Sequence, residues 1–509
     1  MIDNSFQALD WIILAGYFLI LVISSIFLTR KQLTSKDYFL ADGNIPVFAA
    51  AISFLATALS AATFIGAPQQ SFTGDLTYLS SNLGSILAIF VVALIFIPAF
   101  YRNKVSTVYE LLRIRYGEPS SIAASGAFLL GRVFASGARL YIVALPASMI
   151  LFGDIAISHQ LISIAVLTFV GIIYTYAGGI RTVIWTDVIQ TMIFVGAACI
   201  IIGILLHKIP IGIGEIIDAL SHPGDGESSK LSIMPFGSGG FGPEHTFTFL
   251  TAILGFSLLS LGAYGTDQDM AQRLLTLKNA AGGKRSAIAG VFIGIPVTLL
   301  FMIIGLLLYI FYTRPDIMGS LIPTGYDITS SKKIFLTFII EETAPGVTGL
   351  MMAGLFAAGL SSLNSAINAM SSAFINDFYK RIKPEQSEKH YLKIGRRGVM
   401  VFGVILGVFA VLSVFWLEAR PGTTLINFAL LVMVFAYSGL VAVYLAALLT
   451  KRGNDYSVVA ALISGFILVV IMQTYFNQSI AFPWQMFIAT WVAFLICISG
   501  RPTKPHNLL

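Results

Sequence analysis

Thirteen separate stretches of mostly apolar residues run through this chain. They lie near 8–28, 47–70, 79–101, 121–150, 158–177, 183–206, 247–268, 286–312, 346–376, 394–416, 421–449, 455–475 and 481–499. About 20 such residues in a helix cross the hydrocarbon core of a bilayer. Lipid offers no partner to a backbone amide, so a chain of this pattern must satisfy its own hydrogen bonds within helices. The pattern predicts an all-α integral membrane protein with about 13 transmembrane helices. Composition agrees, because only 11% of the 509 residues are charged and 57% are hydrophobic. Soluble domains carry about 25% charged residues. A multidomain soluble protein, a disordered chain and a disulfide scaffold are excluded on these grounds.

The net charge of +6 points to an anionic partner only if the cations cluster on one surface, and here they alternate between loops. One set of connections holds 23 Lys and Arg, including Arg30, Lys31, Arg102, Lys104, Arg181, Arg273, Lys278 and the group from Lys380 to Arg397. The opposite set holds six, namely Lys208, Lys230, Arg314, Lys332, Lys333 and Arg420. Basic loops stay cytoplasmic, so the expected orientation is N-terminus outside and C-terminus inside, which an odd number of spans allows. No nucleic-acid partner follows from the basic balance. The first run is not expected to be a cleaved signal peptide, since Asp3 and Asp10 stand where a basic segment should precede it. Cys199 and Cys497 lie in apolar runs and read as free thiols. The connection at about 207–246 reads as a solvent loop with one short amphipathic helix near Ile213–Leu220.

Two spans are interrupted. The second carries Ser53, Thr57, Ser60 and Thr63 at helical spacing, followed by Gly66 and Pro68; the seventh runs from Gly255 to Gln268 through Gly262, Gly265 and Asp267. Broken helices five spans apart point to an inverted-repeat transporter with its site at the breaks. The plainer alternative is that small residues simply let helices pack closely. The ninth span gathers Ser361, Ser362, Asn364, Ser365 and Asn368. Neutral oxygens without several carboxylates suit a monovalent cation better than a divalent one, and His and Cys show no metal-ligand spacing.

Three ionisable residues within spans stand out. Asp187 is a functional candidate by default, or else a carboxylate neutralised by Arg181. Arg132 and Arg139 lie seven residues apart on one helix face. Arg132 either holds a substrate carboxylate in bidentate fashion or forms a structural pair with an acid; Arg139 reads more as structural. No His–acid pair, nucleophile elbow or metal motif supports an enzyme.

The run Gly-Gly-Ile-Arg-Thr-Val-Ile-Trp-Thr-Asp-Val-Ile-Gln at 178–190, the Asp267-Gln268 and Gln272-Arg273 pairs, the serine-rich ninth span and Tyr38-Phe39-Leu-Ala-Asp-Gly43 together resemble the sodium:solute symporter family over about residues 8–499. That resemblance implies the leucine-transporter-type five-plus-five inverted repeat. It would divide the chain into an extra helix at 1–42, a transport core at 43–449 and two accessory helices with a short cytoplasmic tail at 450–509. It further implies a co-transported sodium ion held by the carbonyls of Ala56, Leu59 and Ala358 and the hydroxyls of Ser361 and Ser362. Some members hold a second sodium; its ligands here would be Asp187, Asn364 and Ser365, although Asn364 and Ala366 replace serines found in bacterial sialic-acid symporters. Similarity to that subgroup implies substrate contacts at Ser60, Thr63, Tyr78, Asn82 and Arg132, with Ala58 in place of a threonine. The expected function is sodium-coupled symport of a small organic solute at the cell membrane, with a carboxylated sugar or other organic acid preferred. A neutral sugar, amino acid or vitamin is the alternative, and a transporter-like sensor or channel the rival class. No protein partner is expected.

Overall fold

The computed structural model describes residues 6–28, 34–177, 179–224, 228–234, 242–321, 333–420 and 423–502. Asp3, Arg30, Lys31, Gly178, Lys332 and Lys504, which entered the sequence argument, lie outside the described residues. All the regular elements used below are helices: α1 (Ala8–Leu28), α2 (Val47–Ala58), α3 (Ala61–Thr73), α4 (Thr77–Arg102), α5 (Glu118–Phe152), α6 (Ile157–Ala177), α7 (Ile180–Lys208), α8 (Phe249–Thr266), α9 (Gln268–Leu275), α10 (Ala280–Thr313), α11 (Val347–Ile382), α12 (Glu388–Glu418), α13 (Leu425–Leu449), α14 (Asp455–Tyr475) and α15 (Phe482–Ser499). Each of the thirteen apolar stretches is helical. Among the described residues, ten helices are individually long and apolar enough to span a membrane, and the bent pair α2 and α3 makes an eleventh. The apolar stretches Ala8–Ser24 and Ile157–Ile173 are shorter, so this criterion counts two fewer spans than expected.

Both expected breaks are present. Between α2 and α3 the chain bends by 57°, because Leu59 and Ser60 leave the helix for extended backbone. The Thr63 amide would ordinarily serve the Leu59 carbonyl. It donates instead to Ser60 O at 2.8 Å, while the Ser60 hydroxyl caps α3 by accepting from the Ala62 amide. Asp267 makes the second break alone, extended between α8 and α9 and capping α9 through the Asp269 amide at 2.9 Å. A broken unit thus opens each set of five, α2/α3 to α7 and α8/α9 to α13. Five spans are an odd number, so the second set enters from the opposite face, which is an inverted repeat.

Helix α2 packs among α7, α10 and α11, and α13 lies on α5, α14 and α15. Close approach needs small residues: a Cβ on Gly305 of α10 would stand 2.1 Å from Pro68 O and from Ser71 Oγ of α3. Helix α1 docks on α11 through Asp10. This fully buried acid accepts from the Gly346 and Gly349 amides at 2.7 Å each, so a carboxylate from outside the repeat caps a core helix. The short helix expected in the 207–246 connection is present at Ile213–Ser221, with Ile216 and Leu220 buried.

Candidate functional site

The two breaks and the helices beside them enclose a cavity of about 130 Å³. Thr57 and Thr63 reach it from the first broken unit, Tyr78 and Asn82 from α4, Ser260 and Tyr264 from α8, and Tyr437 from α13. Helix α5 adds both arginines. Of the five residues expected to contact substrate, Thr63, Tyr78, Asn82 and Arg132 line this cavity. Ser60 is not in the lining, because its hydroxyl is turned to the start of α3.

The two arginines differ in their partners. Arg132 is ion-paired, with Nη2 against Asp267 Oδ2 and Nη1 3.1 Å from Asp269 Oδ2. The Tyr437 hydroxyl donates to the same Asp267 oxygen. Two acids, both at the second break, therefore neutralise Arg132, which is the structural-pair alternative. Arg139, expected to be structural, forms no ion pair among the described residues. Its Nη2 reaches only Met433 Sδ at 3.8 Å, and its Nε has no partner. Arg139 is thus a buried cation facing a cavity, with no carboxylate in ion-pair range among the described residues. Leaving a buried charge so is costly, and an anion in the cavity would remove the penalty.

A second, small cavity of about 10 Å³, near the size that holds one water-sized particle, lies between α2, α7 and α11. Ala56, Leu59, Ala358 and Ser361 all line it. The Ser362 hydroxyl is buried with no hydrogen-bond partner among the described residues. Four of the five residues expected at a principal sodium site thus share one pocket, and the fifth has an orphaned oxygen. The Ser361 hydroxyl donates to Asp187 Oδ1 at 2.5 Å, which leaves its oxygen lone pairs for a cation. Helix α7 contributes Gln190, whose Oε1 is also buried and without a partner among the described residues. The sequence offered one hint of Gln190, its place one turn after Asp187.

Leu59 lines both cavities. Whatever orders the first break around a cation therefore also shapes a wall of the larger cavity.

The residues of the second candidate cation site do not converge on a free space. Asn364 turns its side-chain oxygen to Thr175 Oγ1 at 2.9 Å, toward α6. Asp187 and Ser365 both meet Arg273. The partner of Asp187 is therefore Arg273 and not Arg181. Arg273 is fully buried, so it leaves the tally of loop cations without altering the asymmetry.

A family model for the sodium:solute symporter family matches residues 38–465. This chain belongs to that family. Among its relatives, the sodium/sialic acid symporter SiaT of Proteus mirabilis is 28% identical over 92% of this chain and 90% of its own length. The sodium/sialic acid symporter NanT of Aliivibrio fischeri is 30% identical over 80% of this chain and 77% of its own. The solved structure of a substrate-bound, outward-open Na⁺-coupled sialic acid symporter superposes with a TM-score of 0.82 at 26% identity, covering 97% of each chain. The chain is a multi-pass membrane symporter with the leucine-transporter-type fold, and it couples a small solute to sodium.

Proposed function

We propose that the solute is sialic acid or a closely related carboxylated sugar, carried inward with sodium by alternating access. Arg139 supplies the fixed positive charge for the carboxylate, while Arg132 is held by Asp267 and Asp269 as part of the wall. Thr63, Asn82 and Ser260 offer hydroxyl and amide groups to the sugar, and Tyr78 and Tyr264 cover its apolar faces. A bidentate guanidinium–carboxylate pair is strong and geometrically selective, so this cavity favours an acid over a neutral sugar. The names of the relatives support the same choice.

Sodium in the small cavity is taken up by the carbonyls of Ala56, Leu59 and Ala358 and the hydroxyls of Ser361 and Ser362. It ties α2 to α11 at the break. The observation that carries the coupling is the position of Leu59 in both walls. By linkage, each ligand then raises the affinity for the other by the same factor. A carboxylate moving with a single sodium carries no net charge, so the sodium concentration gradient supplies the drive; only a further net positive charge would add roughly 2.3 kcal/mol per 100 mV of membrane potential. The positive-loop asymmetry supports an N-terminus outside, a cytoplasmic C-terminus and a plasma-membrane location, with the core at 43–449 flanked by 1–42 and 450–509.

Thermal unfolding of the purified protein tests the pairing of ligands. Sialic acid should stabilise it in sodium buffer and leave it unchanged in equimolar potassium. Stabilisation of equal size in both buffers would contradict coupling.

A further inference from the structure

We infer that Arg273 is a built-in cation occupying the place of a second sodium, so that this symporter binds one sodium per chain. The inference rests on the sodium-coupled reading above and deepens it.

The guanidinium is fully buried and lies at the junction of four helices. Its Nε donates to Ser53 Oγ of α2 at 2.8 Å. Nη1 donates to Asp269 O at 2.6 Å and Asp269 Oδ1 at 2.7 Å within α9. Nη2 donates to Asp187 Oδ2 of α7 at 3.3 Å and to Ser365 Oγ of α11. A guanidinium has five N–H donors, and every one is used. The group is charged at any working pH.

A second sodium at this place needs the Asp187 carboxylate and the Ser365 hydroxyl, and Nη2 already holds both. The remaining expected ligand, Asn364, has its oxygen committed to Thr175, and Ala366 has no side-chain oxygen. An ion added beside the guanidinium would face a like charge in a low-dielectric interior. The principal site differs in kind. There the Ser362 hydroxyl is unpaired and a cavity remains. Arg273 therefore acts as a specificity residue for the ion count: it joins α2, α7, α9 and α11 as a second ion would, but it does not leave with the solute.

Binding of radiolabelled sodium to the purified full-length protein at saturating concentration counts the sites. One ion per chain is expected, and two per chain would overturn the inference. No bound sodium would instead overturn the sodium-coupled reading beneath it. In Arg273→Gln the count should rise to two, because Asp187 and Ser365 become available; a folded variant that still binds one ion contradicts the role. If that variant does not fold, Asp187→Asn/Arg273→Gln keeps the charge balanced and should hold the count at one, while a count of two there would also contradict it.

Discussion

Asp269 lies 3.1 Å from Arg132 through one carboxylate oxygen and 2.7 Å from Arg273 through the other. Arg132, which lines the larger cavity, and Arg273, beside Asp187, thus share one acid at the start of α9. Without Asp269 the two arginines still face Asp267 and Asp187, so the loss stays below the roughly 3–5 kcal/mol of a fully stranded buried charge. Asp269→Asn should still lower the melting temperature in detergent. An unchanged melting temperature would show that the two ion pairs contribute nothing to the fold.

Arg139→Ala should raise the KM for sialic acid ten- to a hundredfold, since a hydrogen bond to a charged group is worth about 1.5–3 kcal/mol. The melting temperature should stay near the wild-type value, because Arg139 has no ion-pair partner to strand. Arg132→Ala should do the reverse and act mainly on stability. Substrate uptake assays and thermal melts on the two variants separate the roles.

Ser362→Ala removes an orphaned oxygen at the small cavity. The sodium concentration for half-maximal uptake should rise about tenfold, equivalent to about 1.4 kcal/mol, with no loss of fold. Wild-type sodium dependence in this variant would show that Ser362 does not touch the ion.

Asp10→Ala deletes the carboxylate that caps α11 through Gly346 and Gly349. Loss of such a cap costs about 1–2 kcal/mol. A lower melting temperature with normal sodium affinity is expected, because Asp10 meets the end of α11 far in sequence from Ser361 and Ser362. Altered sodium affinity would mean that the cap also sets the register of α11.

The fold was legible because its determinants are local. Runs of apolar residues give spans, and the sequence 58–63 has hydroxyls and small residues where α2 stops. At the small cavity the resemblance to the family, rather than any local pattern, named Ala56, Leu59, Ala358, Ser361 and Ser362, of which the first four line it. Charge pairing was not legible, because it depends on contacts between residues far apart in sequence. Asp187 meets Arg273 across 86 positions, and the sequence offered the nearer Arg181. Arg132 and Arg139 share a face of α5, and only the placement of Asp267 and Asp269 decides which one is neutralised. Asp10 looked like an argument about a leader segment, whereas it caps a helix more than 330 residues away.

Uptake of labelled sialic acid into proteoliposomes tests the central claim most directly. An inward sodium gradient should drive accumulation above the external concentration, and an equal potassium gradient should drive none. Accumulation of the same size in potassium, or none in sodium while a neutral sugar is concentrated, would contradict sodium-coupled transport of a carboxylated sugar.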